Sequence, residues 1–162
     1  MVKTTKEIIF QYVWVFSFLA ILLTNNIFIT PESELNIPLG VVGFIILMGG
    51  FFVMITPYLQ FIGRTSYKKG ENFFNMIDLM DTGVYGIVRH PQNLGWAIVT
   101  ASIILVAQNI ISIPIVVLTL ILIYLGMVYE EKQLITKYSE KYIDYTKKVP
   151  RWIFFRLLSP FP

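Results

Sequence analysis

Apolar residues in this chain come in long runs rather than in alternation, and the polar residues gather in the gaps between them. A bilayer core of about 30 Å is crossed by roughly 20 apolar residues in helix. Four runs approach that standard, at about residues 8–29, 37–62, 92–108 and 110–130. The first is interrupted only by Gln11, Ser17, Thr24 and the Asn25-Asn26 pair. Lys3 and Lys6 precede it and no small-residue cleavage site follows, so it reads as an uncleaved anchor. The second run holds no charge, and its Gly40, Gly43, Gly49 and Gly50 offer the small-residue surface through which helices approach closely in lipid. Pro57 is expected to kink its last turns by removing a backbone donor. The third run is short for a complete span, so its helix has to borrow flanking residues, tilt, or begin in a buried pocket. Only Gln108 and Asn109 separate it from the fourth, which forces a tight antiparallel hairpin.

This pattern predicts an all-α integral membrane protein forming one domain over residues 1–162, with about four spans. Composition agrees: 56% of the residues are hydrophobic and 14% charged, against roughly 25% charged in soluble domains. The basic residues set an orientation. Lys3 and Lys6 lie before the first run, and Arg64, Lys68, Lys69 and Arg89 lie between the second and third. A further group from Lys132 to Arg156 follows the fourth, whereas the loop after the first run carries Glu32 and Glu34 and no base. Both termini and the large loop are thus expected in the cytoplasm. A net charge of +3 from dispersed residues does not imply nucleic acid. The absence of cysteine excludes disulfides, thiolate metal sites and a cysteine nucleophile.

Two stretches go beyond anchoring. In the large loop, Phe73 to Met80 can form a short interfacial helix, and Asp81-Thr82-Gly83 then turns the chain towards Tyr85 and Arg89-His90-Pro91. Proline is favoured at a first helical position, so Arg89 and His90, the only histidine, stand at the mouth of the third helix. Free amides and the helix dipole favour an anion there. The plainer reading makes Arg89 a positive-inside anchor and His90 a satisfied interfacial side chain. The second stretch carries the fourth helix past the membrane as one continuous helix. Leu134, Tyr138, Tyr142 and Tyr145 share one face, with Glu130 and Glu131 at its edges. That stripe reads as packing, and the paired glutamates as groups with a partner or a task near the membrane. A bowl with an Arg-His pair, a Glu-Glu pair and several phenols suits a zwitterionic small molecule.

The segments "TGVYGIVRHPQNLGW" and "EEKQLITKYSEKYIDYTKKVPR", joined by a tight hairpin, resemble the isoprenylcysteine carboxyl methyltransferase family and its phospholipid N-methyltransferase relatives. Gly83, Tyr85, Arg89, His90, Pro91 and Gly95 match the family's first motif. Glu130, Glu131, Leu134, Tyr142, Tyr145, Val149, Pro150 and Arg151 match the second. One position departs: Asn93 stands where the family usually has tyrosine, and an amide cannot stack or close a lid with a ring.

The resemblance implies that S-adenosylmethionine binds on the cytoplasmic side, in a region over about residues 79–151. The residues implied to bind it are Gly83, Tyr85, Arg89, His90, Pro91, Asn93, Gly95, Glu130, Glu131, Leu134 and Tyr142. Arg89, Glu131 and Arg151 are the implied catalytic group, the arginines as candidates for orienting the acceptor or a carboxylate. No metal is implied. The expected activity is methyl transfer to a membrane lipid or a prenylated acceptor, carboxyl methylation of a prenylcysteine first and phospholipid amine methylation second. Two readings of other classes stay open: a membrane reductase using NADPH, and a non-catalytic membrane scaffold. The oligomeric state is not legible.

Overall fold

A computed structural model of the chain describes residues 35–63 and 79–152. The first expected span, 8–29, lies outside the described residues, as does the expected interfacial helix except for Leu79 and Met80. Among the described residues the structure is entirely helical: α1 (Ile37–Ile62), a 3-10 turn (Gly83–Gly86), α2 (Pro91–Ala107), α3 (Ser112–Tyr138) and α4 (Glu140–Lys148). Both α1 and α3 are long and apolar enough to cross a membrane, and α2 is a shorter apolar helix.

Helix α1 starts where Asn36 caps it: the Asn36 side chain accepts a hydrogen bond from the Leu39 amide at 3.0 Å, and Pro38 occupies the first turn, where its missing N–H is not needed. Helical structure continues past Pro57 to Ile62. Proline in a helix interior leaves the carbonyl four residues back without its usual donor. Here that carbonyl belongs to Val53, and the Thr56 hydroxyl donates to it at 2.7 Å.

The inward face of α1 consists of Gly43, Gly50 and Pro57, one residue every two turns. Small residues bring α1 and α2 together as an antiparallel pair. A methyl group on Gly43 would come within 2.7 Å of Leu105, one on Gly50 within 2.8 Å of Val99, and one on Gly95 of α2 within 2.5 Å of the Met54 backbone. Gly49 has open space around it. The rest of α1 presents exposed Phe44, Ile45, Phe52, Leu59 and Ile62, a surface that suits hydrocarbon rather than water.

Helix α2 begins at Pro91, as its N1 position favours, and ends at Gln108, whose left-handed backbone (φ 49°) turns the chain. The Gln108 amide pairs with both backbone groups of Asn36, accepting from its N–H and donating to its carbonyl at 2.8 Å each, which ties the hairpin to the start of α1. The turn is longer than two residues. The Asn109 side chain accepts from the Ile111 amide at 2.9 Å, and α3 starts at Ser112 rather than near residue 110. Its buried face reads Ser112, Val116, Thr119, Ile123, Met127 and Glu131, a helical stripe that runs from apolar residues into a carboxylate.

The continuous helix expected through the tyrosine-rich stretch is not observed. Ser139 breaks it with a backbone (φ 50°, ψ −128°) that L-residues rarely adopt. The break turns α4 so that Tyr142 and Tyr145 are buried with Leu79 and Val149, and Leu134 and Tyr138 pack on the same cluster. The stripe is a packing feature as expected, formed across two helices instead of along one.

The glycine contacts make a direct prediction. Gly50→Ala and Gly95→Ala should each destabilise the protein by about 1–3 kcal/mol through overpacking. Gly49→Ala should be neutral or stabilise by up to about 1 kcal/mol. Thermal unfolding in detergent micelles distinguishes the two classes.

Candidate active site

Glu131 is delivered inward by the α3 stripe, and its side chain is 8% exposed. Three side chains from two segments converge on it. Arg89, in the loop before α2, donates to Oε1 at 2.8 Å. The His90 Nε2 lies 3.2 Å from the same oxygen. Arg151, beyond α4, donates to Oε2 through both Nε at 2.9 Å and a terminal nitrogen at 2.6 Å, two charge-assisted bonds that share one carboxylate oxygen. The backbone follows the same convergence: the Arg89 amide donates to the Pro150 carbonyl at 2.9 Å, and the Tyr145 hydroxyl donates to the Tyr85 carbonyl.

Glu130 behaves differently. Its side chain is 53% exposed, with Oε2 3.6 Å from His90 Nδ1 and 3.5 Å from the Asn93 amide nitrogen. His90 is itself buried and stands between the two glutamates, touching one with each ring nitrogen. Burial opposes its charged form, but the hydrogen bonds to Glu130 and Glu131 and their charges outweigh burial and raise its pKa above the usual imidazole value. Burial likewise pushes the phenols of Tyr85, Tyr142 and Tyr145 well above the ordinary range, so all three stay neutral hydrogen-bonding groups. Two buried polar atoms beside Glu131 have no hydrogen-bond partner: Nε of Arg89 and the hydroxyl of Tyr142.

The structure therefore brings Tyr85, Arg89, His90, Asn93, Glu130, Glu131, Tyr142 and Arg151 into one neighbourhood. Pro91 opens α2 directly behind the pair Arg89-His90. Three of the expected residues hold structure around this group. Gly95 admits the α1 backbone, Leu134 packs in the aromatic cluster, and Gly83 adopts φ 64° in the turn before Tyr85. Asn93 reaches Glu130, so the amide at the family's tyrosine position is a polar neighbour of that carboxylate. Two contributors lie outside both motifs. Tyr124 accepts from Arg151 at 3.2 Å and lies under its guanidinium, and Gln60 of α1 binds the turn at Gly83. Neither carries a sequence signal, since each is a single polar group in an apolar helix.

A family model described as phospholipid methyltransferase matches residues 39–141. The match takes in α1, α2, α3 and the Arg89, His90, Glu130 and Glu131 positions, and stops short of Arg151. No curated protein and no solved structure matches the chain.

Removing one partner from a buried ion pair leaves an uncompensated charge, so Glu131→Gln should cost about 3–5 kcal/mol, whereas Glu130→Gln should cost under about 1 kcal/mol. Chemical or thermal unfolding of the two variants in detergent tests this contrast. His90 adds a pH dependence. A pKa raised in the folded state means that its contribution is complete below about pH 6.5 and is lost as pH rises through the folded value. The stability advantage of the native protein over His90→Gln should thus be largest near pH 6 and shrink towards about pH 9, as read from melting temperatures across that range.

Proposed function

This chain belongs to the phospholipid methyltransferase family, a family of membrane methyltransferases, and from that premise we propose that it transfers methyl from S-adenosylmethionine to an amine on a membrane lipid headgroup. The observation that carries the reading is the clasp of Arg89, His90 and Arg151 around Glu131, next to a half-exposed Glu130.

The residues present fit the cofactor. Its amino-acid part is zwitterionic and its ribose offers hydroxyl donors, and the site holds cations and carboxylates side by side. Arg89 Nε and the Tyr142 hydroxyl are neighbouring buried polar atoms beside Glu131, a donor and a donor-acceptor that a polar ligand entering the cluster would meet. Glu130 is suited to accept from a hydroxyl or ammonium group, and Tyr85 and Tyr142 to line the pocket as neutral phenols. The bound cofactor would supply an electrophilic methyl group on a cationic sulfur. The protein's share is then alignment and water exclusion, with the clasp holding Arg89 and His90 at fixed positions beside the reacting pair.

For the acceptor, both arginines nominated to steer a carboxylate are already bound to Glu131. The exposed charge in the cluster is the Glu130 carboxylate, which suits an amine. An amine attacks only when neutral, so its proton leaves to water before attack, and the negative charge of Glu130 draws the cationic headgroup to the site. Carboxyl methylation of a prenylcysteine is the second reading, supported by the motif resemblance rather than by the charges.

We further propose four spans, with α2 completing its passage through flanking residues, and the site facing the cytoplasm as the distribution of basic residues favours.

Purified protein in nanodiscs, given methyl-labelled cofactor, should label aminophospholipid vesicles. Label found only on a prenylcysteine analogue would overturn the amine reading in favour of the second. Absence of cofactor binding together with binding of NADPH would overturn the methyltransferase chemistry itself.

A further inference from the structure

Gln60 lies one helical turn beyond Pro57, in the last turn of α1, outside both motifs. Its side-chain amide meets the polypeptide on either side of Gly83. The nitrogen donates to the Thr82 carbonyl at 2.7 Å and the oxygen accepts from the Val84 amide at 2.9 Å. One planar amide thereby satisfies a carbonyl and an N–H in the manner of a strand partner. Gly83 makes this possible. Its φ of 64° turns the chain, and a Cβ there would come within 2.5–2.7 Å of all three atoms of the Gln60 amide group.

The residues that follow are fixed in sequence from this grip. The 3-10 turn closes on the Val84 carbonyl, which accepts from the Ile87 and Val88 amides at 3.2 and 3.1 Å. The Tyr85 carbonyl accepts from Tyr145, the Arg89 amide reaches Pro150, and the chain then delivers Arg89 and His90 to Glu131. Downstream, Gly95 is held against the Met54 backbone of the same helix, α1. The segment carrying Tyr85, Arg89 and His90 is thus anchored to α1 at both ends.

We infer that Gln60 is a positioning residue for the cofactor site, acting through the 82–84 backbone on Tyr85, Arg89 and His90. The inference rests on the proposed binding of S-adenosylmethionine. It requires an amide in particular. A carboxylate can accept from the Val84 N–H, but its second oxygen then faces the Thr82 carbonyl with no proton between them. A protonated carboxyl restores one donor and one acceptor in the same plane.

The test uses the full chain in nanodiscs, with three measurements on the native protein, Gln60→Ala and Gln60→Glu. In Gln60→Ala, loss of two hydrogen bonds should weaken binding of labelled S-adenosylmethionine by roughly tenfold while leaving the turnover rate at saturating cofactor within a few-fold. In Gln60→Glu, the binding defect relative to the native protein should diminish as pH falls from about 7 to about 4 and the carboxyl regains its proton, whereas the Gln60→Ala defect stays level. Amide exchange without cofactor should accelerate over residues 82–90 in Gln60→Ala and remain unchanged in α3. Native-like affinity and exchange in Gln60→Ala would overturn the positioning role while leaving the cofactor reading intact. Equal defects in the two variants at every pH would overturn the requirement for an amide pair. A native protein that fails to bind S-adenosylmethionine would overturn the cofactor reading, and this role with it, even if exchange at 82–90 still responded to the substitution.

Discussion

Burying a carboxylate near the end of a long apolar helix costs several kcal/mol unless cations and hydrogen bonds surround it, and the arrangement around Glu131 answers that cost from two separate parts of the chain. Arg89 and His90 come from the loop before α2, and Arg151 from beyond α4. Each of those segments is otherwise loosely determined by its own sequence. The loop has no long helix of its own, and Arg151 follows a short helix that packs by two tyrosines. Glu131 sets where both of them end. The ion cluster is therefore the tertiary lock of this end of the helices as well as the centre of the proposed chemistry, and the two roles are carried by the same atoms.

A different requirement governs the apolar length of α1 and α2, where few polar contacts join the helices. There the constraint is steric. Gly43, Gly50 and Gly95 let backbones meet, and the surrounding Phe, Ile and Leu side chains face outward. Backbone groups without a helical partner find side chains instead: Thr56 serves the carbonyl opposite Pro57, and Gln108 accepts from the Asn36 N–H while adding a second donor to the Asn36 carbonyl, which already binds the Gly40 amide. Both are polar residues inside or beside an apolar run.

Much of this was legible in the sequence, for identifiable reasons. The long apolar runs give α1 to the residue and the existence of α3, because length and hydropathy dominate such helices, while α3 starts two residues later than expected and ends at Tyr138. Pro91 marks the start of α2 because its ring permits little else. The grouping of Arg89, His90, Glu130, Glu131 and Arg151 followed from the resemblance, and the geometry of the cluster is consistent with it. The break at Ser139 was not legible, since serine carries no preference for a left-handed backbone, and the burial of Tyr142 and Tyr145 holds it there. The distinct characters of Glu130 and Glu131 were equally hidden. Adjacent residues on a helix differ by about 100° in direction, and only packing decides which of the two is turned inwards. Gln60 escaped because a lone amide has no pattern.

The glycine seam between α1 and α2 has a mechanical meaning. At three heights along the pair, a side chain in place of a hydrogen would be within 2.9 Å of the opposite helix. Sliding α2 along α1 by even one residue would drive real Cβ atoms into those gaps, so the two helices behave as a single plank with no axial play. Helix α3 is joined to that plank at the hairpin end by the buried apolar pair Ile103 and Val116, and at the far end by the polar contacts at Glu131. The plank is thus the fixed reference against which the loop carrying Arg89 and His90 is set.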